Sequence, residues 1–466
     1  MSDPFLDAHR VARLTYVISG PQPISIRDQM LRGALAARRL HEEREIDREK
    51  RPLVVVGAGA GGATAAIEAA RIGVEAHLVE IAQQAFLTQR LARTRITDPT
   101  QYDWPLDHCL YGSFPWGWHS ALPLSFRTNR ADWLSIWWGW QLAVWQARLK
   151  SRLHVHFGAS LVNPPTFVPS PGSRGHLAID FGDGLINAGA LIDAKGFGNE
   201  QCAVKDPAGR VYYEGQPFWG PDNFSTLQAS QHTVLISGSG DGALQDYIRV
   251  LTGLNRAIEV EARLGLPLDI RHAIQSAEDR AHRGRSWSRE DNPQLRSHHE
   301  GPYFRELEFE HRRMIQQALA NRQVSSQLDR MFPSPPVSAA LVYREPYLTC
   351  YYGLNRFITL LISEYLEKSP RWPMRTLFPS CEIRSISSSS HPCIGVPQAG
   401  RASGNYVYGV LVSHTCFGKP HDVIFKTPFC PAQRKFDVII IRHGLVGTIG
   451  NLPFQRPRHL LPYHHP

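Results

Sequence analysis

The sequence predicts an α/β protein with two domains, each built around a parallel sheet, and a helical insertion in the second. The short apolar runs Leu53–Val56 and Thr233–Ser237 are typical of strands that a parallel sheet buries on both faces. A glycine-rich turn and helix-forming residues follow each run. At 466 residues the chain also exceeds what one ordinary hydrophobic core serves, so two domains are expected.

Composition places the chain among globular proteins, with 42% hydrophobic and 20% charged residues. No apolar run approaches the roughly 20 residues that span a bilayer, and no apolar signal core follows Met1, so we expect no membrane span and a cytoplasmic location. The net charge of +9 favours anionic ligands. Because no dense Lys/Arg run occurs, we do not expect a nucleic-acid partner; a basic adaptor for RNA is the most remote alternative.

The seven cysteines favour neither a disulfide framework nor a metal centre. Their number is odd, and no Cys-x-x-Cys pair occurs. We therefore predict reduced, mostly structural thiols and no metal site.

The first glycine turn has the residues that a dinucleotide requires. Gly57 permits a tight turn out of the strand, Gly59 lets a pyrophosphate approach the backbone, and Gly62 lets the next helix pack closely on the sheet. The positive end of that helix attracts phosphate. Glu80 lies 23 residues after Gly57, where an acidic side chain hydrogen-bonds ribose hydroxyls. This order of strand, turn, helix, strand and acid predicts a Rossmann-like dinucleotide-binding domain.

A second, weaker turn carries Gly238, Gly240 and Ala243 in the same arrangement. Asp241 lies inside this turn, where its charge repels phosphate unless it faces a cation or caps a helix. The next strand ends at Arg344, which suits the 2′-phosphate of NADP, although Glu345 beside it suits the ribose of NAD. NAD(P) binding and a degenerate, ligand-free domain both remain open for this half.

With these residues in view, the chain resembles the two-dinucleotide-binding-domain flavoproteins, which include flavin-containing monooxygenases and pyridine-nucleotide reductases. Val54–Glu80 is similar to their FAD-binding signature. Ala190–Glu200 is similar to their second flavin-contacting strand, with Gly196 and Gly198 as the glycine pair beside the cofactor. Thr233–Leu251 is similar to their NAD(P)H turn. The resemblance implies FAD and NAD(P)H as cofactors.

The chain departs from that family in several places. It has the helical insertion, it closes with Arg442-His443-Gly444, and it lacks the redox-active cysteine pair. A Gly-Asp strand that touches the flavin ribityl chain also has no clear counterpart. Ligand crevices open at the carboxyl ends of parallel strands, so His443 is a candidate catalytic residue. Trp104 and Trp116 are candidates to stack on flavin or substrate.

Five segments are predicted: a helical lead-in (1–51), an FAD-binding domain (52–225), a second Rossmann-like NAD(P)-binding domain (226–445), its helical insertion (254–335) and a tail (446–466). The leading hypothesis is an FAD-dependent oxidoreductase. In it NAD(P)H reduces the flavin, which then reduces an unidentified small molecule or oxygen. The alternative is an FAD- or NAD(P)-binding sensor or scaffold without turnover. The charged helices of the insertion and of Met30–Arg51 are candidate surfaces for a protein partner.

Overall fold

The computed structural model describes residues 3–19, 25–47, 51–99, 101, 104, 122–170, 175–182, 184–196, 199–206, 208–229, 232–284, 293–332, 334, 336–350, 352–388, 421–426 and 433–446. The elements up to the end of the first large sheet are α1 (Pro4–His9), β1 (Arg10–Ala12), β2 (Thr15–Val17), α2 (Ile26–Glu42), β3 (Leu53–Val56), α3 (Ala60–Arg71), β4 (Ala76–Glu80), α4 (Leu87–Leu91), β5 (Ile96–Thr97), β6 (Asn129–Arg130), α5 (Ala131–Leu149), β7 (Leu153–Phe157), β8 (Thr166–Val168), β9 (His176–Asp180), β10 (Leu185–Ala188) and β11 (Ala190–Asp193).

The remaining elements are β12 (Asn199–Glu200), β13 (Ala203–Lys205), β14 (Val211–Glu214), a 3-10 helix (Phe224–Ala229), β15 (Thr233–Ser237), α6 (Asp241–Thr252), α7 (Ala257–Leu264), α8 (Leu268–Gly284), α9 (Pro293–Ala320), α10 (Arg322–Met331), β16 (Ser338–Tyr343), α11 (Gly353–Lys368), β17 (Leu377–Pro379), β18 (Glu382–Ser388), β19 (His421–Lys426), β20 (Gln433–Phe436), β21 (Val438–Ile441) and β22 (Leu445–Val446). Among the described residues, no helix is long and apolar enough to cross a membrane.

The chain forms two units whose limits differ from the predicted segments. The first lies mainly within Met1–Asn199, and the second lies within Glu200–Gly284 and Gly301–Gly444. The predicted lead-in therefore belongs to the first unit, and the division falls near residue 200 instead of 225. The lead-in joins the first unit because β2, which lies before residue 20, pairs with β11 of the main sheet.

The first unit is built on a sheet in the order β1-β2-β11-β3-β4-β7. Strands β2, β11, β3, β4 and β7 of this sheet run parallel to one another. Strand β1 pairs antiparallel with β2 at one edge. One face of this sheet is covered by the antiparallel strands β8, β9 and β10. Apolar side chains such as Val54, Val79 and Leu191 pack there against Leu177 and Ile179. Burial on both faces explains why β3 is wholly apolar.

Helix α2 is mostly buried, although the mixed charge of Met30–Arg51 predicted a surface for a protein partner. It packs against α3 at a crossing where Gly33 of α2 meets Gly61 of α3. The two backbones are so close that a Cβ at Gly33 would lie 2.3 Å from the carbonyl oxygen of Gly61. Arg38 of α2 reaches Glu68 of α3 at 2.6 Å. The charges in this segment therefore serve partly as internal ion pairs.

The second unit repeats the plan of the first. Its sheet has the order β17-β16-β15-β21, and all four strands run parallel. A core that includes Leu235, Val342 and Ile441 joins this sheet to Ile383 of β18 and Phe436 of β20. The expected fold class, two Rossmann-like units with parallel sheets, is confirmed by these strand orders.

The predicted helical insertion is also present, as α7 to α10 between α6 and β16. It is anchored to α11 through buried polar groups. Arg356 of α11 donates to Glu278 of α8 at 2.8 Å, and His311 of α9 lies 2.9 Å from the same carboxylate oxygen. Because a buried charge is stable only when it is paired, this contact holds the inserted helices against the unit's interior.

A pair of glycine substitutions tests the crossing of α2 and α3. In Gly33→Ala the new methyl would overlap Gly61, so we expect a loss of about 1–3 kcal/mol of stability. Gly139→Ala is the matched control, since a Cβ at this position in α5 meets nothing within 4 Å. It should gain about 0.5–1 kcal/mol from helix propensity. Scanning calorimetry should show apparent Tm shifts of opposite sign; a rise for both variants would contradict the packing.

Candidate functional site

The first glycine turn is constrained by close backbone contacts. Gly57 has φ +104°, and a Cβ there would lie 2.5 Å from the carbonyl oxygen of Ala194 at the end of β11. A Cβ at Gly62 would lie 2.0 Å from the carbonyl oxygen of Gly57. Both positions therefore exclude a side chain, and α3 begins directly against the ends of β3 and β11.

Gly59 is different, because a Cβ there would meet nothing within 4 Å. It is the N-cap of α3 and makes no side-chain capping hydrogen bond. The positive end of the helix therefore faces open space that a larger residue would fill. These are the features of an anion site that admits a pyrophosphate close to the backbone.

Glu80 is held beside this turn at the end of β4. Its Oε2 accepts from the backbone N–H of Ala58 at 2.7 Å, and its Oε1 accepts from the N–H of Ala82 at 2.9 Å. A carboxylate has about four acceptor positions, so two such bonds orient it and leave acceptor capacity for hydroxyl groups. The contact of Glu80 to a ribose stays a prediction.

The end of β11 forms the third side of this site. Asp193 is in register with Val56, so the two strands end together. The backbone N–H of Lys195 donates to Asp193 Oδ1 at 3.1 Å, and its ammonium group lies 2.9 Å from Oδ2. Gly196 has φ +95° and open space around it. Gly198 and Trp116 lie outside the described residues, and Trp104 is a buried side chain.

A fourth element at this edge, strand β2, was not predicted from the sequence. Strand β2 runs parallel to β11 with Val17 opposite Asp193, and Ile18 donates its N–H to the carbonyl oxygen of Asp193 at 3.2 Å. Two sequence signals could have found it. The apolar run Tyr16–Ile18 precedes a capping box in which Ser25 and Asp28 begin α2. An apolar run followed by a helix is also the order found at residue 53, where the helix begins at a glycine turn instead of a capping box.

The second turn repeats the steric pattern of the first. A Cβ at Gly238 would lie 2.2 Å from the carbonyl oxygen of Arg442, which directly follows β21. Gly240 is the N-cap of α6 without a side-chain capping bond, and a Cβ there meets nothing within 4 Å. Ala243 is fully buried beneath the turn. An open helix N-terminus therefore occurs in both units.

Asp241 makes the second turn differ electrostatically from the first. Its Oδ1 accepts from the N–H of Tyr352 at 3.2 Å and from the side-chain amide of Asn355 at 2.9 Å. The carboxylate thus caps the start of α11. Ser239 Oγ lies 2.7 Å from Thr349 Oγ1, which brings the segment before α11 against the turn.

Arg344 and Glu345 follow β16, at the same edge as the second turn. The Arg344 side chain is 77% exposed, and one guanidinium nitrogen lies 3.2 Å from Glu345 Oε1. Ion pairs this exposed are weak, so a phosphate can replace the carboxylate as partner. Glu345 Oε2 lies 3.4 Å from Ser239 Oγ, which turns this acid towards the glycine turn.

His443 and Arg442, which follow β21, have separate environments. His443 Nε2 lies 2.7 Å from Ser237 Oγ at the end of β15. Although the residue is exposed as a whole, loss of solvent around the ring and the charge of Arg344 hold the pKa of His443 below its ordinary value. The imidazole is therefore neutral at pH 7. Arg442 instead pairs with buried Asp246 at 2.8 Å, which is a structural contact.

No model of a known protein family matches the chain, and no curated protein matches it. Among solved structures, thioredoxin reductase of T. acidophilum is 12% identical, with 87% of this chain and 80% of that chain covered and a TM-score of 0.36. Bacillithiol disulfide reductase of Staphylococcus aureus is 10% identical, with 85% and 77% covered and a TM-score of 0.36. OTEMO in complex with FAD and NADP is 13% identical, with 86% and 72% covered and a TM-score of 0.35. At these values the matches assign no activity to this chain.

Proposed function

We propose that this chain is an FAD-dependent oxidoreductase in which NAD(P)H reduces the flavin, which then reduces a small molecule or oxygen. One observation carries the proposal. The first turn combines two glycines that contact the backbone, Gly57 and Gly62, with one that faces open space, Gly59. Glu80 is oriented beside them. These residues fit the pyrophosphate and ribose of a dinucleotide.

In this proposal the first unit holds FAD. The N–H groups at the start of α3 bind the pyrophosphate, and the helix dipole favours its charge. Glu80 accepts hydrogen bonds from ribose hydroxyls through the lone pairs that Ala58 and Ala82 leave available. The segment at Gly196, beside the end of β3, approaches the cofactor from the neighbouring strand.

The second unit holds NAD(P)H at the start of α6. Gly240 admits the pyrophosphate, and Arg344 pairs with the 2′-phosphate of NADPH once it leaves Glu345. His443 is the candidate catalytic residue. Because its imidazole is neutral, it can accept a proton at the carboxyl ends of β15 and β21.

The cysteine spacing, with the described residues Cys202 and Cys350, favours oxygen or a small molecule over a disulfide as the final acceptor. The chain has no Cys-x-x-Cys pair. Burial raises the pKa of the Cys202 and Cys350 thiols, which lowers the fraction of reactive thiolate. Thiol–disulfide exchange requires an accessible thiolate, and neither of these cysteines supplies one.

A nucleotide-binding sensor or scaffold without turnover is the second candidate, and Asp241 favours it. The carboxylate of the first residue of α6 opposes a phosphate at that helix end. Anaerobic addition of NADH or NADPH to the purified protein separates the two functions. Bleaching of a yellow protein supports the oxidoreductase, whereas a yellow protein that neither cofactor bleaches supports the sensor.

Gly59→Val tests the flavin site. Its branched side chain would occupy the open space at the start of α3, so we expect the purified variant to lose its bound flavin. Absorbance of the released cofactor, per mole of protein, measures the loss. Wild-type flavin content in a folded Gly59→Val variant would remove the first turn as the FAD site.

Gly240→Val is the matched substitution in the second unit, where the space at the helix start is equally open. We expect it to keep the flavin and to lose reduction by NAD(P)H, because only the second pyrophosphate is excluded. Anaerobic stopped-flow absorbance measures this rate. A rate equal to that of the wild type would show that the second turn does not bind the reductant.

Arg344→Ala tests the choice of nicotinamide cofactor. Loss of the guanidinium removes a charge-assisted contact to the 2′-phosphate, worth about 1.5–3 kcal/mol, so the KM for NADPH should rise roughly tenfold or more. The KM for NADH should change little. Steady-state kinetics with both cofactors measures the difference, and equal changes would contradict a 2′-phosphate role.

A further inference from the structure

Three histidines and one glutamate meet at the edge of the first unit's sheet. His77 of β4 is in register with His154 of β7, and His156 follows two residues later. Side chains two residues apart on a strand point to the same face, so all three imidazoles share one face. Glu75 directly precedes β4. The sequence pattern Glu-x-His and His-x-His produces this arrangement once the two strands pair.

The ligand atoms of this cluster already converge. His77 Nε2 lies 3.1 Å from Glu75 Oε1, and His154 Nε2 lies 3.4 Å from the same oxygen. Glu75, His77 and His154 each have one ligand atom within 4.8 Å of the other two. Ligands at 2.0–2.1 Å around a tetrahedral zinc ion are separated by about 3.4 Å. Both separations from Glu75 Oε1 are close to that value, and all three ligand atoms lie within 4.8 Å of one another.

The third imidazole, that of His156, contacts His77 on the side away from Glu75. His77 Nδ1 lies 3.2 Å from His156 Nε2, and Phe181 packs on the His156 ring with centroids 4.6 Å apart. A metal-bound histidine usually donates its other ring N–H to an acceptor, which fixes the tautomer and the ring orientation. His156 provides such an acceptor for His77, which leaves His77 Nε2 as the ligand atom.

The donor atoms also suit a transition-metal ion. Two imidazole nitrogens and one carboxylate form a mixed N/O set. Such a set suits zinc and neighbouring transition metals, whereas calcium and magnesium prefer oxygen ligands alone.

We propose that Glu75, His77 and His154 bind one divalent transition-metal ion, with zinc as the first choice. The side chains of Glu75 and His154 are 49% and 36% exposed, so water can reach the remaining coordination position. The cysteine spacing predicted no metal site, and this one uses no cysteine.

The ion would link the edge strand β7 to β4. The pair His77 and His154 lies three residues before Glu80 and Phe157 at the carboxyl ends of the same strands. At about 3.3 Å per residue, this places the metal roughly 10 Å from the nucleotide edge. We therefore assign it a structural role: it stabilises the folded first unit without contacting the dinucleotide. A metal-free hydrogen-bonded chain from Glu75 through His77 to His156 is the competing arrangement.

Zinc titration of the full-length protein tests the proposal. Protein freed of metal with EDTA, and then of EDTA, is titrated with zinc sulfate by isothermal calorimetry. We expect one tight equivalent and a higher Tm with zinc than without it. His154→Gln should lose that equivalent and the zinc-dependent rise in Tm. His176→Gln, which removes a histidine of β9 outside the cluster, should keep both.

Glu75→Gln is a second variant at an exposed position, where the amide preserves the shape of the side chain. It should weaken zinc binding at least about tenfold. Circular dichroism confirms that each variant is folded before titration. Equal zinc uptake by wild type and His154→Gln, or no tight equivalent in the wild type, would overturn the proposal in favour of the metal-free chain.

Discussion

The architecture of the first unit depends on the close approach of backbone around Gly57. The turn after β3 contacts the carbonyl oxygen of Ala194 on one side and the start of α3, at Gly62, on the other. A methyl group at either glycine would force these segments apart. Their contact sets the helix N-terminus at the carboxyl edge of the sheet, where Glu80 and Asp193 also lie. The proposed anion site thus depends on backbone segments that pack together without intervening side chains.

The glycine turn of the second unit has the same close backbone contacts as that of the first, but a different local charge. Gly238 contacts the backbone of Arg442, as Gly57 contacts that of Ala194. Asp241, however, adds a carboxylate whose hydrogen bonds are directed to the start of α11. The helix end is open in both units, but only the first lacks a negative charge at the first turn of its helix. The two turns therefore differ in their expected affinity for phosphate.

The two ends of the parallel strands in the first unit's sheet carry different chemical groups. Backbone N–H groups and Glu80 lie at the carboxyl ends of the strands, and the imidazoles of His77 and His154 lie nearer the amino ends of β4 and β7. Parallel strands in register produce this separation. Residues near the amino ends of all strands lie on one side of the sheet, and residues near the carboxyl ends lie on the opposite side. The proposed metal site would therefore lie apart from the strand ends proposed to bind a nucleotide.

The amino-acid sequence by itself determined the two Rossmann-like units, their glycine turns and the inserted helices, since apolar runs, glycine spacing and helix periodicity are local signals. Only the tertiary structure decided that β2 pairs with β11, that α2 is buried, that Asp241 caps α11 and that His77 meets His154. Each of these joins residues that are distant in the chain. Local propensity cannot specify such a contact, because it depends on which strands become neighbours when the sheet forms.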